Sequence, residues 1–197
     1  MERIEFFFDL GSPWSYLAST QLDGLAARTG AEVVWRPFLL GGVFKATGNQ
    51  SPAYEKVENK LAYFYDDLHS WATLYRVPFQ VPSVFPPNTL TAMRGAIAAT
   101  RLGRPVAFAR AGFEAYFAED RNISDSDVVV DVATRIGLDV AQFQTLINDV
   151  DTKEALKRAT SESLDRGAFG APTFFWRDRM FFGNDRLGLL EALINEG

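Results

Sequence analysis

The sequence predicts an α/β fold in which a strand–helix–strand unit opens the chain, a strand–strand–helix unit closes it, and a large all-helical insertion separates the two. Three observations carry this prediction. Short runs rich in aromatic and β-branched residues stand near both ends, about a hundred residues between them carry apolar side chains at helical spacing, and glycine or proline marks the transitions. The expected division places residues 1–40 and 152–197 in the mixed unit and 41–151 in the inserted helical lobe.

Arg3 to Asp9 (RIEFFFD) reads as a strand. Gly11-Ser12-Pro13 breaks it, and Tyr16, Leu17, Leu22 and Leu25 then recur at helical spacing before Gly30. Pro13 suits a first helical turn, where its missing N–H is no loss, and Ser12 before it is a favoured N-cap. Ala31 to Phe38 (AEVVWRPF) reads as a second strand, so the first 40 residues imply a right-handed crossover and a parallel pair. Leu39 to Ser51 (LLGGVFKATGNQS) reads as a glycine-rich loop and Pro52 to Leu74 as a helix, after which Pro78, Pro82, Pro86 and Pro87 break a long connection. Leu90–Leu102, Ala107–Phe117, Asp127–Ile136 and Val140–Ile147 each look amphipathic. Thr152 to Arg166 predicts a long helix closed by Gly167. Thr173–Trp176 and Met180–Phe182 predict two short strands around a polar turn, and Asp185 to Asn195 a last helix.

At 47% hydrophobic and 23% charged residues, the chain has the make-up of a globular protein able to bury one sizeable core. Lys and Arg number 20 against 25 Asp and Glu, and no segment gathers the positive charge, which argues against a nucleic-acid partner. No apolar run approaches the roughly 18 residues of a membrane helix. Asp9 and Pro13 interrupt the apolar start where a signal peptide would continue, so the expected location is cytoplasmic. There is no cysteine and one histidine, His69. Disulfide exchange, thiolate metal sites, thiol nucleophiles and His-based triads are thereby removed, and no metal is expected. Chemistry is left to Ser, Tyr, Lys, carboxylates or a reagent brought in from solution. His69, beside Leu68 and Trp71 on a predicted helix, reads as a packing or surface residue.

Three junctions remain as candidates. Gly11-Ser12-Pro13-Trp14-Ser15 joins the first strand to its helix, at the sheet edge where α/β folds bind ligands; the unpaired N–H groups and positive dipole end of the first turn suit an anion, and Ser12 by itself reads as a plain cap. Ala168-Phe169-Gly170-Ala171-Pro172-Thr173 opens a strand with proline. A cis Ala171–Pro172 bond would turn the Ala171 N–H and C=O toward an extended peptide, whereas about one X–Pro bond in twenty is cis. In Phe182-Gly183-Asn184-Asp185-Arg186, Asn184 or Asp185 reads as an N-cap or as a group that grips an amino-acid head.

Together the element order, the strand–SPWS–helix junction and the Gly-Ala-Pro-Thr turn resemble the DsbA-like group of thioredoxin-fold proteins, and the fold class this resemblance implies is thioredoxin-like. Redox members carry Cys-x-x-Cys where this chain has Ser12-Pro13-Trp14-Ser15. Further stretches resemble the glutathione-dependent branch of that group, the 2-hydroxychromene-2-carboxylate isomerases and kappa-class glutathione transferases. These are Phe6-Phe7-Phe8-Asp9, Gly48-Asn49, Lys60-Leu61-Ala62-Tyr63 with Asp67-Leu68, Phe85-Pro86 with Asn88-Thr89-Leu90, Gly167-Ala168-Phe169-Gly170 and Gly183-Asn184-Asp185-Arg186, in order along nearly the whole chain.

The resemblance implies glutathione as cofactor, a small aromatic substrate and a homodimer. It matches Ser12 to the serine that faces the glutathione sulfur and Ala171, before Pro172, to the residue that pairs with the cysteinyl backbone. Asn184 and Asp185 match the pair that holds the γ-glutamyl end, and Lys60, Asn49 and Asn88 match positions lining the cleft from the helical lobe. Phe38, Phe44, Trp71 and Phe79 are candidates for an aromatic wall between the lobes. The implied activity is isomerisation of 2-hydroxychromene-2-carboxylate to trans-o-hydroxybenzylidenepyruvate in aromatic-compound catabolism. The alternatives are a kappa-type transferase acting on aromatic electrophiles and a non-redox peptide-binding module.

Overall fold

The computed structural model describes all 197 residues. The chain opens with β1 (Arg3–Phe8), α1 (Pro13–Ser19), α2 (Leu22–Thr29) and β2 (Glu32–Pro37). Then come α3 (Leu40–Thr47), a 3-10 turn at Pro52–Tyr54, α4 (Glu58–Tyr75), α5 (Leu90–Arg101), α6 (Pro105–Phe117), α7 (Ser126–Arg135), α8 (Val140–Asn148) and α9 (Val150–Asp165). It closes with β3 (Thr173–Trp176), β4 (Arg179–Phe182), a 3-10 turn at Asn184–Arg186 and α10 (Leu187–Glu196). No helix is long and apolar enough to cross a membrane.

The four strands lie in the order β2-β1-β3-β4, with β1 parallel to β2 and antiparallel to β3, and β3 antiparallel to β4. β1 is therefore paired on both edges, and two buried clusters cover its two faces, which is what three consecutive phenylalanines require. Phe6 sits in register between Trp35 and Phe174, its ring centroid 5.1 Å from each. With Ile4 and Phe8 it faces a main core of 39 buried residues that also takes in Leu17 of α1, Phe113 of α6, Phe143 of α8 and Leu190 of α10. Phe7, alternating to the other face, joins a smaller cluster with Phe38, Val43, Ala168, Ala171 and Phe175. Each such buried ring contributes about 1.5–3 kcal/mol.

The expected element order holds, with three differences that have local causes. The helix after Pro13 breaks at Thr20 and Gln21 because the Ser19 and Thr20 hydroxyls donate back to the Tyr16 and Leu17 carbonyls at 2.6 and 2.7 Å, competing with the helical ladder. The glycine-rich segment after Leu39 is not a loop but α3. Its first N–H groups find distant acceptors, Leu39 N–H on Thr160 Oγ1 (3.0 Å) and Leu40 N–H on Asp9 Oδ2 (2.8 Å), and tertiary bonds override the low helix propensity of two glycines. The helix expected from Pro52 starts at Glu58, because the Glu55 carboxylate accepts the Lys56 and Val57 N–H groups and holds a turn before it. Two prolines follow cis bonds, Phe85–Pro86 and Ala171–Pro172.

Gly95 on α5 marks where the helices pack most closely. A Cβ there would lie 2.9 Å from Phe108 Cζ and 3.1 Å from Phe143 Cζ, both rings fully buried. Overpacking of this kind costs about 1–3 kcal/mol, against a helix-propensity gain of about 1. Gly95→Ala is therefore expected to lower the unfolding free energy by about 1 kcal/mol in urea denaturation. A stabilised variant would show that the helices separate more readily than this packing implies.

Candidate functional site

Strand directions deliver three loops, far apart in sequence, to one edge of the sheet. β1 ends at Phe8 and feeds Asp9 to Ser12. β3 begins beside it, Thr173 pairing with Phe7, so Ala171 and Pro172 stand next to that corner. β4 ends with Phe182 opposite Thr173, which brings Gly183, Asn184 and Asp185 to the same edge. The last two loops are tied together by the Gly183 N–H, which donates to the Pro172 carbonyl at 3.1 Å. Gly183 has φ +103°, and a Cβ there would lie 2.5 Å from Asp185 Oδ1, so only glycine makes this turn without strain. Above the edge lies a cleft of about 640 Å³, closed on its far side by residues of α3, α4 and the connections around them.

Ser12 performs the capping role and more. Its Oγ accepts the Ser15 N–H at 3.1 Å and donates to the Ala171 carbonyl at 3.0 Å, across 159 residues of sequence. The serine is buried, 3% exposed, yet forms part of the cleft wall. No base accepts its proton, so it is not set up as a nucleophile. Pro13 lacks an N–H and that of Ser15 is engaged, which leaves Trp14 with the one unpaired donor of the first turn. The Ala171 N–H also makes no hydrogen bond within the chain.

Asn184 is buried, and its Nδ2 makes no hydrogen bond of ordinary geometry, although it stands close enough to the Tyr75 phenol to favour the ionised form of that group. A donor so weakly engaged on a cleft wall can take an acceptor from a ligand. Asp185 pairs with Arg186 at 2.9 Å, and Arg186 is the one cationic side chain on the cleft wall. Asp67 of α4 faces the same space. Partial burial and then the like charge of Asp185 hold its carboxyl above the ordinary range, with the Trp71 indole working in the opposite direction. Two carboxylates that repel each other beside a weakly engaged amide donor suit an amino-acid head group, whose ammonium would relieve the repulsion.

Behind the edge lies Asp9, the only carboxylate among the buried residues. Burial raises it to about 6, against the opposing effect of hydrogen bonds from Gly11, Leu40 and Thr89. The sequence reading treats it as a strand end; its signal was a lone acid set between FFF and LG.

The cleft brings together Ser12, Ala171, Asn49, Asn184 and Asp185, with Asn49 Nδ2 donating to the Phe169 carbonyl at 3.2 Å. Pro172 is buried just behind it. Lys60 and Asn88 do not line it. Lys60 lies in the first turn of the late-starting α4, largely exposed and 3.8 Å from Glu55, and Asn88 Oδ1 instead accepts the Leu90 N–H at the start of α5. Of the four aromatic candidates, Phe44 and Trp71 line the cleft. Phe38 does not, because it is fully buried edge-on to Phe7 in the smaller core cluster. Phe79 stacks on Phe117 and meets the exposed His69 edge-on, outside the cleft. Asp67, Trp14 and Phe64 went unassigned in the sequence because their meeting depends on how α1 packs against α4.

Comparisons with known proteins agree on the fold. A family model described as a DSBA-like thioredoxin domain matches residues 3–195. A 2-hydroxychromene-2-carboxylate isomerase of Sphingobium xenophagum is 31% identical over 193 residues, covering 98% of each chain. Glutathione S-transferase kappa 1 of Rattus norvegicus is also 31% identical, over 98% of this chain and 91% of its own. A solved structure of a 2-hydroxychromene-2-carboxylate isomerase superposes with a TM-score of 0.88 at 29% identity, covering 98% of this chain and 95% of that one.

The state of Asp9 has a measurable consequence for stability. The ordinary value is 3.8 and the folded value about 6, so between these the folded chain holds a proton that the unfolded chain has released. Stability then falls as pH rises through this window, by about 3 kcal/mol at 1.36 per pH unit. Urea titrations from pH 4 to 7 are expected to show this one-proton slope in the wild type and to lose it in Asp9→Asn. An unchanged slope in the variant would assign the titration to another group.

Proposed function

The chain belongs to the DsbA-like thioredoxin-domain family, and on that premise we propose that it is a glutathione-dependent isomerase converting 2-hydroxychromene-2-carboxylate to trans-o-hydroxybenzylidenepyruvate. One observation carries the reading above all. The corner that would hold a redox thiol presents a serine hydroxyl to the cleft instead, so the thiol must come from outside the chain. The cleft suits glutathione: its volume lies within the roughly 300–1,000 Å³ of small-molecule sites. It also offers the weakly engaged Asn184 amide, the unpaired Ala171 N–H and the Asp67–Asp185 pair.

When bound, glutathione supplies a thiolate that adds reversibly to the conjugated double bond of the ring-opened substrate and leaves after rotation, so none is consumed. The chain's own part is to favour that anion and hold it in place. Ser15 N–H fixes the position of Ser12 Oγ, while the hydroxyl hydrogen can turn from the Ala171 carbonyl toward sulfur. The same rotation frees the Ala171 carbonyl, which with its own N–H then offers both partners for the cysteinyl backbone.

Lowering a thiol from ~8.5 by about two units needs ~2.7 kcal/mol. The first turn of α1 provides ~0.3–1 kcal/mol, and a hydrogen bond to a charged group ~1.5–3, so Ser12 supplies the larger share. Asn184 and Asp185, with Asp67 opposite, hold the γ-glutamyl end. Arg186, the one cation on the cleft wall, faces a substrate carboxylate, and Trp14, Phe64 and Trp71 flank the ring.

The test follows substrate and glutathione together. Interconversion is expected only with glutathione present, with the glutathione pool intact after many turnovers. Ser12→Ala should lower kcat by about 10- to 100-fold, and Asp185→Asn should weaken glutathione binding by about tenfold. Stoichiometric thioether formation would make the protein a kappa-type transferase. Turnover indifferent to glutathione would overturn both readings.

A further inference from the structure

Asp9 is buried at the back of the Ser12 corner with three donors converging on it. Oδ1 accepts the Gly11 N–H at 2.9 Å, and Oδ2 accepts the Leu40 N–H at 2.8 Å and the Thr89 hydroxyl at 3.0 Å. Its own carbonyl accepts the Ser12 N–H at 3.0 Å. One residue thus joins the loop that carries Ser12, the first turn of α3 and the start of α5. Gly11 and Leu40, two of its partners, lie on the cleft wall. No cation neutralises it, which is an expensive way to fill a gap that neutral side chains could fill.

We propose that Asp9 is the positioning residue of this site: its ionised carboxylate locks the Ser12 corner to the starts of α3 and α5, and protonation opens the lock. The carboxylate meets all three donors with its full charge, and such charge-assisted bonds are roughly twice as strong as neutral ones. A protonated acid still accepts, but without that charge. A proton on Oδ1 crowds the Gly11 N–H, and one on Oδ2 turns the Thr89 hydroxyl from donor to acceptor beside the Leu40 N–H. Either way both backbone donors are held less tightly.

The elements packed around Asp9 bring little other charge. The Tyr116 phenol of α6 feels its charge, and burial keeps that phenol protonated throughout the relevant range. Gly11, Leu40 and Thr89 carry none, and neither Arg94 of α5 nor Lys45 of α3 is among the groups that hydrogen-bond its carboxylate. Burial holds the acid near 6, so the lock would open just below neutrality.

The claim about the corner stands without any ligand; only its effect on turnover rests on the glutathione reading. The experiment therefore begins with ligand-free, 15N-labelled protein, following the Gly11 and Leu40 amide resonances from pH 4.5 to 8. Both are expected to titrate together with a midpoint near 6 in the wild type. The transition should vanish in Asp9→Asn and move upward in Thr89→Val, which removes one donor from the carboxylate. Should Asp9→Asn fail to fold, the displacement in Thr89→Val decides. Amides that do not titrate together, or a midpoint that Thr89→Val leaves in place, would overturn the proposal.

With glutathione and substrate, Asp9→Asn should cut kcat about tenfold and leave KM for glutathione within about twofold, since Asn184 and Asp185 are untouched. A rise in KM with kcat unchanged would make Asp9 a binding residue and overturn its positioning role. If glutathione fails to bind the wild type, the functional reading falls, while the amide titration still decides the role of Asp9.

Discussion

The central place of β1 is the constraint on which the rest of the structure depends. A strand covered on both faces must present rings alternately to two cores, and Phe6, Phe7 and Phe8 do so. With β2 on one side and β3 on the other, its C-terminal end becomes the point where the chain's first turn, its cis-proline turn and its last 3-10 turn meet. The hydrogen bond from Ser12 to the Ala171 carbonyl closes that meeting. Loss of register anywhere along β1 would separate these loops, because a one-residue slip reverses every side chain.

The polar groups at this edge stand in contrast to the cores behind them. Asp9 is ionised at neutral pH at a cost to stability, the Asn184 amide is weakly engaged, and Asp67 and Asp185 repel each other. Interiors seldom retain such features without a use, and sites that bind polar ligands often do. A ligand with a carboxylate, an ammonium and a peptide backbone would answer several of them at once. The aromatic faces around them provide the apolar part of the same cleft.

Much of this was legible in the sequence because the deciding signals are local. Three consecutive phenylalanines, a serine before a proline, and a glycine before Asn184 each specify their own backbone. The cores followed from alternation and helical spacing. What escaped depended on contacts between distant segments. α3 forms in a glycine-rich stretch because Asp9 and Thr160 satisfy its first N–H groups. The break between α1 and α2 comes from two hydroxyls folding back, which composition alone does not decide. Lys60 was placed in the cleft by resemblance and lies outside it, since its position turns on where α4 begins. Phe38 and Phe79 were aromatic in the right region, but packing against Phe7 and Phe117 sent them elsewhere.

The most direct measurement is the ultraviolet absorbance of the thiolate in glutathione bound to the wild-type protein, followed as pH is raised. A hydroxyl fixed by Ser15 N–H and free to turn toward sulfur should bring the thiol about one to two units below its free value of ~8.5. A bound thiol that titrates at the free value would contradict the role of Ser12, and absence of binding would contradict the glutathione site itself.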